Sequence, residues 1–406
     1  MAQKFDDAAT ERLEQYLDGI GSLLKDKRKR ESFAIYALGL LGSSERKSAE
    51  PIAALATAEP TGTKRMHDKL LHFVGRSEWS DDAVRLAGVR YACTELEKRE
   101  EITTWVIDDT GFLKQGTHSV GVQRQYTGSA GKVTNCQVGV SLEIATPTAH
   151  LPVDFELYLP KTWTEDPLRR EEARIPKDVA FRTKLDLALA MIERAARAGL
   201  PGSVILADSA YGDSTGFRDA VRLLGFDYAV GISCGTKVCR IGTTGRLGTP
   251  TRVDDLALRV PRRSRRKITW RSGTKNSLVG RFYFCRVKTT HDDGMPIESR
   301  EPLWLVIEWE VDRHKPRKFY LTTLPRRIRQ KKTVRTLKER WRTEQMYQEM
   351  KGELGLDHFE GRSYPGWHHH ISVAICCYAF VLAERARAFP PSAGRASPND
   401  ALQVAA

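Results

Sequence analysis

No stretch of this chain reaches the roughly 20 consecutive apolar residues that a membrane-spanning helix requires. The longest candidate, Ile371 to Ala383, has 13 residues and reads as a buried helix. The opening Met1-Ala2-Gln3-Lys4 leads straight into a polar helix, so no secretory leader is expected. Cysteine is scarce: 7 among 406 residues, an odd count with no Cys-x-x-Cys pair, and Cys376-Cys377 falls inside the apolar run. This argues against a disulfide framework or a cysteine zinc site and fits reduced thiols in a cytoplasm. Acidic residues are in deficit, 51 against 65 lysines and arginines, which leaves a net charge of +14 and a pI near 9.5. Such a balance favours an anionic partner, nucleic acid first and an acidic membrane second.

What remains is an ordinary soluble composition, 41% hydrophobic and 29% charged, in a chain long enough for two or three domains. Residues 1–98 read as helical. Leu13, Leu17, Ile20 and Leu24 recur at helical spacing, and the basic run Lys25, Lys27, Arg28, Lys29 and Arg30 follows. Short helices with basic connections suit either a DNA-binding domain or a solvated bundle. Strands begin at Ile102 and run to Asp108, after which Thr110-Gly111 is expected to turn the chain. Val138 to Ile144 and Leu151 to Leu159 alternate as half-buried strands do. A helix is expected over 179–197, a strand over 204–207, a helix over 214–224 and a strand over 228–232.

This order, three strands and then helical crossovers, predicts an α/β mixed sheet of the RNase H-like kind. Its first part spans 99–233. Residues 234–324, strand-rich and broken by glycines and charged turns, read as a β-rich insertion. Residues 325–390 supply the C-terminal helices, expected over 333–354 and 370–388. The tail 391–406 has no apolar pattern and is expected to be loose.

Three acids stand in positions suited to holding metal. Asp108 ends one apolar strand, Asp208 ends another, and Glu344 lies in a basic helical stretch. Asp109 is the second choice for the first position, because alternation alone does not say which acid faces the site. Asp208 also suits a helix N-cap. Drawn as one helix from 337 to 351, at about 100° per residue, Arg340, Glu344, Lys351 and Tyr347 fall on one face and Glu349 on the other. Carboxylates are the ligands of hard cations, Mg2+ or Mn2+. Two such ions about 3.5–4 Å apart serve both the attacking and the leaving oxygen of a phosphodiester.

Several blocks together resemble the DDE-type transposases of bacterial insertion sequences, the IS4 group and its IS701 relatives. They are Asp108-Asp109-Thr110-Gly111-Phe112-Leu113-Lys114, Gly121 to Tyr126, Gly131 to Gln137, Ala207-Asp208-Ser209-Ala210-Tyr211-Gly212, Tyr320 to Pro325, Arg340-Trp341-Arg342-Thr343-Glu344 with Lys351 beyond, and Gly355 to Ser363. The resemblance covers about 102–388. It implies catalytic and metal-binding roles for Asp108, Asp208 and Glu344, and DNA contacts for Arg340 and Lys351. The family's tyrosine position falls on Leu337, a departure. It also implies two Mg2+ or Mn2+ ions, terminal inverted repeats and target DNA as partners, and a homodimer in the DNA complex.

Arg326 and Arg327 open a basic run and, with Arg342 and Arg362, are expected at phosphates. His370 is expected close to DNA. The triplet His368-His369-His370 is a poor metal site, since consecutive side chains diverge. Trp270 and Trp309 are expected in cores. The expected function is metal-dependent 3′-end cleavage and strand transfer. A nuclease without joining, or a silent DNA-binding regulator derived from a transposase, are the alternatives.

Overall fold

The computed structural model describes residues 6–272, 277–290, 295–311 and 313–388; the tail expected to be loose lies outside them. The chain divides into two compact units. One comprises residues 1–102, 146–153 and 348–406, the other 103–145 and 154–347.

The first unit is mostly helical. It holds α1 (Asp7–Gly21), α2 (Lys27–Leu41), α3 (Ala49–Leu55), α4 (Pro60–Gly75) and α5 (Asp81–Glu97). Side-chain caps start three of these: Asp6 accepts from the Ala9 N–H at 2.7 Å, Asp26 from Lys29 at 3.0 Å and Ser80 from Ala83 at 3.2 Å. Each satisfies one amide that the first turn leaves without a partner.

The final long helix, Tyr364–Ala388, packs against α5, α2 and α4. It has no polar face over Gly366–Phe380, all of which is buried. A helix apolar all round belongs inside a bundle. Among the described residues no helix is long and apolar enough to cross a membrane.

Two of its three histidines find partners one by one. His369 Nδ1 lies 2.8 Å from the Val74 carbonyl, and its ring stacks on Trp79 at 3.9 Å. His370 lies 2.9 Å from the Tyr36 hydroxyl and 3.0 Å from the Gly355 carbonyl. The three histidines therefore diverge, as expected. His370, however, is fully buried and cannot serve as a DNA-proximal group. The helix starts six residues earlier than expected, which places His370 inside the bundle and not at its rim.

The second unit is built on one 12-stranded sheet. Its strands are β1 (Thr104–Leu113), β2 (Gln123–Thr127), β3 (Lys132–Ala145), β4 (His150–Tyr158), β5 (Val204–Ala207), β6 (Asp227–Ile232), β7 (Lys237–Arg240), β8 (Thr251–Arg252), β9 (Arg266–Ser272), β10 (Ser277–Thr289), β11 (Leu303–Trp309) and β12 (Lys318–Thr322). They lie in the order β2-β3-β1-β5-β6-β12-β11-β10-β7-β8, with β4 beside β3 and β9 beside β10. β1 pairs antiparallel with β3 and parallel with β5; β5 pairs parallel with β6. The strands of 234–324 extend this same sheet through the antiparallel pair β6–β12.

Helices α6 (Lys161–Thr164), α7 (Pro167–Glu172), α8 (Lys184–Arg197), α9 (Ser209–Gly212), α10 (Thr215–Leu223), α11 (Val253–Leu258) and α12 (Gln330–Glu339) complete the second unit. α13 (Thr343–Leu354) leads out of it, and α14 is the Tyr364–Ala388 helix. Strand β5 is apolar throughout and wholly buried, as a strand with parallel neighbours on both sides should be.

Three local expectations fail for physical reasons. β1 does not turn at Thr110-Gly111 but continues to Leu113. Gly111 is there because another strand crowds it: a Cβ would lie 2.0 Å from the Thr127 hydroxyl oxygen. α8 starts at 184, not 179, because Thr183 and Asp186 form a reciprocal capping box. The expected helix over 333–354 is two helices, α12 and α13, separated by a 3₁₀ turn at Arg340–Arg342.

Burial holds the His369 pKa below its ordinary 6.5, with backbone carbonyls and Asp81 opposing the shift. The folded protein therefore binds fewer protons here than the unfolded chain does, so stability falls as pH drops below about 6.5. The urea midpoint should fall between about pH 7 and pH 5, and less steeply in His369→Phe. Parallel profiles for the two proteins would refute this.

Candidate active site

The site starts from strand register. β1 and β5 pair in parallel from Thr104 opposite Val204 to Ile107 opposite Ala207. The next residue after each paired stretch is an aspartate, so Asp108, midway along β1, and Asp208, just past the carboxyl end of β5, stand side by side. Ligand sites in open α/β sheets gather at such ends. Asp108 remains in the sheet, opposite Ser141 on β3. Asp208 leaves it: its Oδ1 accepts the Ala210 N–H at 2.8 Å and caps α9. The cap reading is thus correct for one oxygen of Asp208, and the other is free for a different partner. The turn packs tightly on β6, where a Cβ on Gly212 would stand 1.9 Å from the Gly231 carbonyl oxygen. Only glycine allows α9 to sit there.

Arg340 joins the two acids. Its Nη2 lies 3.0 and 2.9 Å from the Asp108 oxygens and 3.4 Å from Asp208 Oδ2. Asp109 points elsewhere, to Lys184 Nζ at 3.0 Å, with the Tyr211 hydroxyl at 3.5 Å. Of the adjacent pair, then, Asp108 is the one beside Asp208, as strand alternation requires.

Burial pushes the Asp108 carboxyl up to about 7; Arg340 opposes this, while Glu143 and Asp208 add to it. Burial also works against the Arg340 charge, but Asp108 and Asp208 outweigh it and raise the guanidinium pKa. Two carboxylates converging on one cation make a place selective for positive charge, with oxygen donors of the kind hard divalent ions prefer.

Glu344 does not join them. It is exposed on α13 and makes no hydrogen bond or ion pair with a described residue. Among the described residues no three acid, histidine or cysteine side chains stand close enough to hold a metal. The expected trio is therefore a pair bridged by arginine, with the third acid apart. A 3₁₀ turn at Arg340–Arg342 interrupts the α-helix between Arg340 and Glu344. Tyr347, expected on one face with both, is instead buried and hydrogen-bonded to Ser141.

Sequence reasoning missed the residues beneath this helix. Ser141 and Glu143 lie on the second face of β3, opposite to the apolar series Val138 to Ile144, and both are fully buried. The available signal was an acid embedded in the run Ser141-Leu142-Glu143-Ile144.

A cleft of about 620 Å³ opens beside the pair, lined among others by Asp208, Arg317, Lys318, Lys338, Arg340 and Trp341. Trp341 is 45% exposed, and Arg271 lies over its ring at 4.5 Å. Arg342 flanks the same ring at 5.6 Å. Arg326, Arg327 and Arg362 are exposed, and Lys351 is half-buried on α13. Trp309 is fully buried under Arg265, and Trp270 packs on Phe282, so both serve as packing residues.

Arg340→Gln would leave two facing carboxylates without their cation. The expected cost is about 1–3 kcal/mol in the absence of divalent ions. Asp108→Asn should remove much of that cost in the double variant, giving a coupling that a denaturation cycle measures. Additive effects would show that the bridge contributes nothing.

Comparison with known proteins places the chain in a family. Residues 19–277 match the family described as DDE superfamily endonuclease. The match takes in both aspartates and ends before Arg340 and Glu344. Over 221 residues the chain is 28% identical to the "Probable transposase for insertion sequence element IS701" of Microchaete diplosiphon, covering 54% of this chain and 53% of that protein. The chain thus spans about half the length of the curated relative it matches. With more than half of its own length matched, the chain belongs to the DDE superfamily endonucleases.

Proposed function

We propose that this protein is a transposase that cuts and joins DNA at the ends of an insertion element. The observation that carries the reading is the pairing of Asp108 and Asp208 by register, in a chain of this family. The donor set fits Mg2+ or Mn2+. Asp108 and Asp208 would hold two such ions, and Glu344, which stands apart from them here, would have to be brought in as the third carboxylate. Bound ions of this kind activate the attacking oxygen and stabilise the leaving one.

The chain's own residues supply binding and orientation. Arg340, Arg342, Arg326 and Arg327 carry positive charge to the DNA backbone, and Lys351 and Arg362 add to it. Arg340 is the most specific of these, because a guanidinium held by carboxylates can turn to a phosphate when a metal takes its place. Water attacks phosphorus at the element end, breaking the bond to the 3′ oxygen. The element keeps a 3′ hydroxyl and the flank a 5′ phosphate. That hydroxyl then attacks a target phosphodiester and displaces its 3′ oxygen, with no enzyme-linked intermediate. The substrates are duplex terminal inverted repeats and target DNA. Two ends call for two copies of the chain, working at the nucleoid in the cytoplasm.

Asp208→Asn and Glu344→Gln should each lower metal-dependent joining by about 10²-fold or more on a duplex bearing the element's own ends. Duplex binding in EDTA should persist. Joining that survives either change would overturn the proposal. Cleavage by the native protein without joined product would leave a nuclease, and binding without chemistry a regulator.

A further inference from the structure

The first turn of α13 is bolted to strand β3 by side chains that carry no charge to DNA. The Thr343 hydroxyl donates to Glu143 Oε2 at 2.9 Å. The Ser141 hydroxyl donates to Glu143 Oε1 at 3.1 Å. Ser141 Oγ and the Tyr347 hydroxyl are also paired. Since the single Ser141 proton goes to Glu143, Tyr347 is the donor in that second bond. All four residues are buried, and Ser141, Glu143 and Thr343 fully so.

The spacing is what makes the lock. Ser141 and Glu143 are two apart on a strand, so they share a face about 6.6 Å apart. Thr343 and Tyr347 are four apart on a helix, so they share a face about 6 Å apart along the axis. Two bonds at matched spacing fix both the rotation and the sliding of α13 against β3. A single bond would leave the helix free to roll about it.

The strand end of this lock is also the wall of the acid pair. Ser141 is the register partner of Asp108, and Glu143 that of Val106. The helix end adjoins Glu344, the residue next to Thr343. The same four side chains thus tie the place where Glu344 leaves its helix to the strand beside Asp108.

We infer that Glu143, acting through Thr343 and with Ser141–Tyr347 as its second bolt, is a positioning residue for metal binding. It fixes the stretch of helix from which Glu344, exposed and apart from Asp108 here, would reach the pair. Glu143 itself does not touch the substrate. The inference rests on the proposed role of Glu344 as a third ligand and adds what holds that ligand in place.

The test measures Mn2+ binding to the full-length protein by calorimetry, without DNA, beside melting in EDTA. Thr343→Val keeps the shape of the side chain and removes its hydroxyl. It should weaken Mn2+ binding by about tenfold or more, the range for losing an outer-shell partner. Its melting temperature in EDTA should stay close to that of the native protein. Thr343→Ser restores the hydroxyl and should restore affinity. Tyr347→Phe and Glu143→Gln should weaken binding in the same direction, and they decide the matter if Thr343→Val fails to fold. Native Mn2+ affinity in folded Thr343→Val or Tyr347→Phe, while Glu344→Gln binds weakly, would overturn this inference alone. Native affinity in Glu344→Gln would overturn the three-acid proposal together with it.

Discussion

Everything at the candidate site depends on how β1 and β5 pair. Parallel strands in register carry equivalent positions to the same height, so two sequences that each end an apolar run on aspartate deliver those aspartates as neighbours. A slip of one residue would turn one acid to the opposite face of the sheet. Register is secure because Trp105–Ile107 of β1 and all of β5 are buried and apolar, and a slipped strand would expose what is now core.

Bringing two carboxylates together creates an electrostatic problem that a fold must answer. Here the answer is Arg340, which spans both acids from the turn between α12 and α13. Asp108, the more buried of the two, feels the problem most: burial and its acidic neighbours favour its protonated form, and the guanidinium alone opposes them. The cleft beside the pair carries the same logic outward, with lysines, arginines and an exposed tryptophan around one of the acids.

Much of the architecture could be read from periodicity, because period two and period 3.6 are local properties. The strands of β1, β3 and β5, the helices α8 and α10, and the strand-rich stretch after residue 234 were all visible in this way. Errors arose where a distant group decided a local matter. Gly111 looked like a turn, yet it lies in a strand because Thr127 crowds it. His370 looked like a surface group, yet Tyr36 and Gly355 enclose it. The face drawn for Arg340, Glu344 and Tyr347 assumed an unbroken helix, where the structure has a three-residue 3₁₀ turn and a buried Tyr347.

From sequence alone came the kind of chemistry: which acids end apolar strands, which basic stretch carries a third, and the excess of positive charge suited to a polyanion. Those follow from residue identity and local pattern, which need no knowledge of the fold. Tertiary structure decided which of Asp108 and Asp109 meets Asp208, that Arg340 stands between them, and that buried Glu143 and Ser141 grip the helix bearing Glu344. Each of these depends on strand register or on contacts between residues far apart in the chain, and local spacing carries no information about either.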